Sequence, residues 1–189
     1  MNSFGGNYDL YDLDISGLEN LLFQSAYFDK DDISTTFVHL KQETYSIEVE
    51  FYLYKGAFAK EPKTRCNAYL YARIFSHTII IDDIVSTTEH HNYGMTLLLN
   101  LARLIIIFNQ LYEIFQVYGY LELHDKSSWA YLAKRFYGQW SEQISKANIA
   151  MKLDFKLSYV GKDVSIEYLV LHEEEFDKRL KMKWLISYQ

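Results

Sequence analysis

Cysteine, proline and glycine are all scarce in these 189 residues, at one, one and 8 respectively. With Cys66 alone, no disulfide can close within the chain and no cysteine-based metal site can be built. With Pro62 alone and so little glycine, flexible joints are few, and no linker, repeat or low-complexity tract breaks the chain. Basic runs are missing too. Lys and Arg number 19 against 25 Asp and Glu, a formal charge of −6, which lacks the footprint of a nucleic-acid binder and leans toward cationic or neutral partners. The longest apolar run, LIIIF at 104–108, is far below the roughly 20 residues of a membrane span. The opening MNSFGGNYDLYDLD lacks the basic-then-apolar order of a signal peptide. These absences lead us to expect a soluble, cytoplasmic protein with neither membrane nor nucleic acid as partner.

What is present is apolar and aromatic: 49% hydrophobic and 17% aromatic residues, with 17 Tyr, enough for one domain with a sizeable core. Ser16-Gly17-Leu18-Glu19 has a capping-box pattern, and Leu18, Leu21, Leu22 and Ala26 follow at helical spacing, so a helix is expected over about 16–28. In YSIEVEFYLY the period becomes two, with Tyr45, Ile47, Val49, Phe51 and Leu53 on one face of a strand. KGAFAKEPKTR turns the chain, and NAYLYARIF and TIIIDDIVS read as a hairpin around Ser76-His77. A buried helix is expected over about 94–114, then a core strand QVYGYLEL and a short helix SSWAYLAKRFYGQW capped by Ser127 or Ser128. MKLDFKLSY and VSIEYLVL form a hairpin around VGKD. Met151, Leu153, Phe155, Leu157 and Tyr159 give that hairpin an apolar face to pack on the core, and its edge is expected to pair in a homodimer. EEEFDKRLKMKWL, acidic first and basic last, suits a terminal helix. The long helix forces its flanking strands into a parallel crossover. The expected fold is α+β, a mixed and mostly antiparallel sheet flanked by helices, in a single domain over 1–189 with 172–189 as a C-terminal helical extension.

One stretch carries a family resemblance. IDDIVSTTEHHNYGMTLLLNLA resembles motif A of the GNAT superfamily of N-acetyltransferases, as a divergent member. There a strand ends, an acidic-aromatic-basic run follows, and a glycine-bearing turn opens a long helix. Glu89 takes the acidic position, His90 the aromatic one, and His91 stands where the family has Arg or Gln. Gly94 keeps the first glycine and Thr96 replaces the second. VYGYLELHDKSSWAYLAKRFYGQW resembles the strand and helix that follow, so the likeness runs over roughly 66–140. It implies an acyl-CoA N-acyltransferase-like fold with acetyl-CoA (coenzyme A) as cosubstrate. Its pyrophosphate would sit on backbone N–H groups of Tyr93, Gly94, Met95, Thr96 and Leu97, beside His91 and Asn92. N–H groups and dipole at a helix start favour such an anion, and the Thr96 hydroxyl is a further donor to it. Its pantetheine arm would run along Ile84, Val85 and Ser86, and Ser127 joins the cofactor set.

Acyl transfer to an amine also needs a base and an acid. The resemblance and the strand pattern make Asp82 and Asp83 the base candidates. Alternation sends their side chains to opposite faces, so one of the two faces the cleft; both also suit plain salt-bridged strand residues. Glu48 and Glu50 are weaker candidates. Ala133 falls where the family places a catalytic tyrosine, leaving Tyr131 and Tyr137 as candidate acids that serve equally well as packing aromatics. His39, His77, His90, His91, His124 and His172 show no ligand spacing, so no metal is expected, and Cys66 reads as an inert thiol. Tyr52, Tyr54, Tyr69 and Tyr71 suit either a substrate pocket or an association surface. Two functions follow: an acetyltransferase acting on an amine of a small molecule or protein, or an inactive relative serving as a protein-binding or inhibitory module.

Overall fold

The computed structural model of the protein describes residues 13–87, 92–122, 139–146, 155–159, 166–172 and 175–188. Its strands are β1 (Asn20–Ser25), β2 (Ser34–Gln42), β3 (Ile47–Lys55), β4 (Ala68–Phe75), β5 (Thr78–Ser86), β6 (Gln116–Glu122), β7 (Phe155–Tyr159), β8 (Ile166–His172) and β9 (Glu175–Tyr188). Helix α1 (Tyr93–Phe108) stands between β5 and β6, and α2 (Trp140–Lys146) between β6 and β7. One sheet runs β1-β2-β3-β4-β5-β6-β9, with β7 and β8 both paired to β9. Among the described pairings β5 with β6 is parallel and the rest antiparallel. The fold is α+β with a mixed, mostly antiparallel sheet, as the sequence pattern leads one to expect. No helix among the described residues is long and apolar enough to cross a membrane.

The core lies on one face of this sheet. Val38, Val49, Phe51, Leu70, Ile79 and Ile81 point into it from β2 to β5, and Leu97, Leu101, Leu104 and Phe108 of α1 fill it from the other side. Trp140 seals the far side of α1, fully buried, with its indole Nε1 donating to the Leu98 carbonyl at 2.8 Å. Asn100, also fully buried, ties α1 to the sheet's first strands. It accepts from Ser25 (3.1 Å) and Tyr27 (2.8 Å) and donates to Thr36 (2.9 Å).

Four expected elements differ. Residues 16–28 make a turn and β1 rather than a helix: Leu18 N–H donates to the Ile15 carbonyl, Gly17 takes φ 87°, and the Glu19 carboxylate accepts the Gly17 N–H at 2.6 Å. The capping-box residues thus close a tight turn, and six ladder pairs to β2 outweigh a short isolated helix. Where a helix is expected over 173–185, as part of a helical extension over 172–189, His172 ends β8 and residues 175–188 form strand β9. It gives β6 a partner along its outer edge over seven register pairs, and Leu180, Met182, Trp184 and Ile186 alternate with Arg179, Lys181 and Lys183 as a strand requires. β7 and β8 do not pair as a hairpin around VGKD. Both run antiparallel to β9, β7 against its end and β8 against its beginning, so the hairpin is β8–β9. α1 stops at Phe108, where tight turns at Gln110 and Leu111 replace its last expected turns. The short helix expected over 127–140 lies outside the described residues except for Gln139 and Trp140, the second of which begins α2.

Candidate active site

β5 changes character halfway along. Ala72 pairs with Ile81 but Tyr71 pairs with Asp83, so Asp82 is an extra residue, a β-bulge. The bulge resets the alternation. Residues opposite each other on paired strands share a face, so Asp83 joins Tyr71, Tyr69 and Arg73 on the sheet face away from α1. Asp82 turns to that face too, where the Arg73 guanidinium grips its carboxylate at 2.7 and 2.6 Å. The expectation of opposite faces is therefore corrected: an inserted residue puts both carboxylates on one side. Asp83 Oδ2 accepts the Tyr69 hydroxyl at 3.2 Å. Burial, then the Asp83 charge and this hydrogen bond, push the Tyr69 hydroxyl above its ordinary value.

Beyond the bulge β5 also leaves its parallel neighbour. The ladder runs from Thr78–Gln116 to Ile81–Gly119 and stops, while β5 goes on to Ser86 and β6 to Glu122. The parted segment holds Ile84 and Val85, half-buried, and Ser86, exposed. Shortly afterwards α1 begins. Its N-cap Asn92 has left-handed backbone (φ 51°), its side chain caps nothing, and the first turn carries no acidic residue. An anion at this helix start meets no competing carboxylate on the helix itself.

Two expected donors are withdrawn from that start. The Thr96 hydroxyl donates to the Asn92 carbonyl at 3.2 Å, and the Thr96 N–H donates to the same oxygen at 2.9 Å. Thr96 and Leu97 lie past the first turn, where N–H groups belong to the helix ladder, and the Leu97 side chain is fully buried core. The first-turn amides are those of Tyr93, Gly94 and Met95, all buried residues. Burial, then the Asp32 charge, raises the Tyr93 phenol. His91, Ser127, Tyr131 and Tyr137 lie outside the described residues, as do Glu89 and His90.

The face carrying Asp83 extends across β1 to β5, and among the described residues no helix packs on it. Tyr52 donates to Glu50 at 3.0 Å and shares a 3.1 Å hydrogen bond with Tyr71. Tyr54 donates to Glu61 at 3.1 Å. Burial and, after it, the Glu61 bond push Tyr54 up to about 12, while burial, the Tyr71 bond and Glu50 raise Tyr52 further still. These phenols are neutral donors near pH 7. Glu61 comes from the turn KGAFAKEPKTR, whose composition gave no sign that it folds back onto the sheet. Burial also pushes the Cys66 thiol up, which weakens it as a nucleophile.

No protein-family profile matches the chain, and no curated protein matches it by sequence. Among solved structures it is similar to the ribosomal-protein-S18-alanine N-acetyltransferase from Escherichia coli, with 12% identity over 79% of this chain and 74% of that one at a TM-score of 0.39. It is also similar to nourseothricin acetyltransferase, with 12% identity over 88% of this chain and 84% of that one at a TM-score of 0.42.

Proposed function

We propose that this protein is an acetyl-CoA-dependent N-acetyltransferase acting on an amine. The observation that carries the reading is the parting of β5 from β6 at the Asp82 bulge, followed a few residues on by the glycine-bearing start of α1. A strand freed from its neighbour offers backbone donors and acceptors to an extended, amide-bearing ligand. A helix start with no side-chain cap and no acid in its own first turn offers N–H groups to its phosphates. These features fit coenzyme A, with Ile84, Val85 and Ser86 along its arm and Tyr93, Gly94 and Met95 at its pyrophosphate. When bound, the cofactor supplies the acetyl group as a thioester.

The chain's own residues divide the remaining work. Asp82 is held in the Arg73 fork with both carboxylate oxygens engaged, which leaves it poorly placed to receive an incoming ammonium. Asp83 gives one oxygen to Tyr69 and keeps the other for an incoming ammonium. It is the base in this reading. Tyr131 and Tyr137 are the acids the reading assigns to the departing thiolate.

Calorimetric titration with acetyl-CoA, paired with thermal unfolding, tests the proposal. Saturable binding is expected, with stabilisation of about 2.7 kcal/mol at a hundredfold excess over Kd. Neither heat nor a thermal shift at millimolar ligand would remove the enzyme reading and leave the binding-module alternative.

A further inference from the structure

The sheet face away from α1 carries a row of side chains across five strands: Asn20 opposite His39, His39 opposite Glu50, Glu50 opposite Tyr71, and Tyr71 opposite Asp83. Glu50 and Asp83 stand two strands apart, about 10 Å at the backbone. That is too far for one ion to bridge. The basic side chains around the row each have another acid as partner. His39 sits between Asn20 (2.8 Å) and Glu61 (3.0 Å), Arg73 forks onto Asp82, and Lys41 pairs with Glu43 and Glu48. Among the described residues no cation reaches ion-pair distance of Glu50 or Asp83. Each accepts a tyrosine hydroxyl on one oxygen.

Between the two carboxylates lies aromatic surface. Tyr71 stands 5.1 Å from the Tyr69 ring and 6.1 Å from Tyr52, ring centre to ring centre. Such rings cover methylene groups and attract ammonium groups over their faces. Two separated carboxylates with no cation at ion-pair distance among the described residues, joined by tyrosines, on a chain of formal charge −6, complement a flexible dication. The Lys41 charge is felt at Glu50 but is held by Glu43 and Glu48.

We propose that the acceptor is a linear polyamine lying across the strands, one terminal nitrogen at Asp83 and a second ammonium at Glu50. The proposal rests on the acetyltransferase reading for the chemistry, though not for the binding. Asp83 takes a proton from the terminal ammonium. The freed nitrogen forms a C–N bond to the acetyl carbon while the C–S bond breaks. The sulfur leaves with that electron pair, the acylated nitrogen sheds its second proton and the thiolate takes up one, giving the thiol and an N-acetylated polyamine. The second ammonium keeps its charge and fixes the register, so Glu50 determines specificity without touching the reacting atoms.

The test is calorimetry of spermidine against the protein without coenzyme A, with n-butylamine as the single-charge probe. Spermidine is expected to bind at least tenfold tighter than n-butylamine. Glu50→Gln should weaken spermidine roughly five- to tenfold and leave n-butylamine unchanged. Glu48→Gln, one row away and paired with Lys41, should change neither, which separates a local contact from the overall charge. Circular dichroism of each variant confirms the fold. Equal affinity for the two amines, absent spermidine binding, or equal losses in Glu50→Gln and Glu48→Gln would overturn the proposal. Spermidine binding without acetyl-CoA binding would support the row as a polyamine site and remove the transferase; acetyl-CoA binding without spermidine binding would do the reverse.

Discussion

The two halves of β5 share a strand but not a job. From Thr78 to Ile81 the strand is laddered to β4 and β6, and Ile79 and Ile81 are each 1% exposed. From Asp82 to Ser86 it keeps β4 alone and its side chains are exposed or half-buried. One inserted residue separates the halves. The first half stabilises the fold through two ladders and core packing. The second gives up one ladder and so becomes available to a ligand, with its carboxylates turned to one face. An opening in this sheet is thus made by removing strand contacts rather than by adding a loop.

The contrast can be broken most forcefully at its two aspartates. Asp83→Asn is expected to lower kcat for acetyl transfer about 10² to 10⁴-fold. Asp82→Asn should cost at most about 1 kcal/mol of stability, since its pair with Arg73 is solvent-exposed, and should largely spare kcat. Steady-state kinetics on both variants, with urea melts, give the comparison. Equal effects would erase the distinction between a gripped and a working carboxylate. A smaller effect sharpens the boundary itself. Ile81→Ala, in the laddered half, should lose about 2 to 5 kcal/mol of stability. Val85→Ala, in the parted half, should lose about 1 kcal/mol or less while weakening acetyl-CoA. Urea unfolding of the two variants reads it, and similar losses would mean that the parted half is packed as firmly as the first.

Much of this division was legible beforehand, though not its cause. The bounds of β5, its turn at Ser76-His77 and the start of α1 follow from a period of two meeting a buried helix. β2 escaped notice because Ser34 to Val38 are all buried, which removes the alternation that marks a half-wet strand. β1 carries the spacing of a helix at Leu18, Leu21, Leu22 and Ala26, and only the ladder to β2 decides between the two. The dipole-like charge order of 173–185 similarly hid a strand that β6 required. Asp82 and Asp83 were nameable as candidates from type and place. That they share a face was not, because a bulge leaves no mark in an Asp-Asp pair. The row from His39 to Asp83 depends on register across four strands, information that no single strand contains.

In the proposed function, acetyl-CoA lies along the parted half of β5 and on the first turn of α1. Backbone amide chemical shifts of isotope-labelled protein, followed during an acetyl-CoA titration, address each residue separately. The account predicts the largest changes at Asp82 to Ser86 and at Tyr93 to Met95, with Thr78 to Ile81 and β1 little affected. Changes centred on the laddered half or on β1 and β2, or none at saturating ligand, would contradict it.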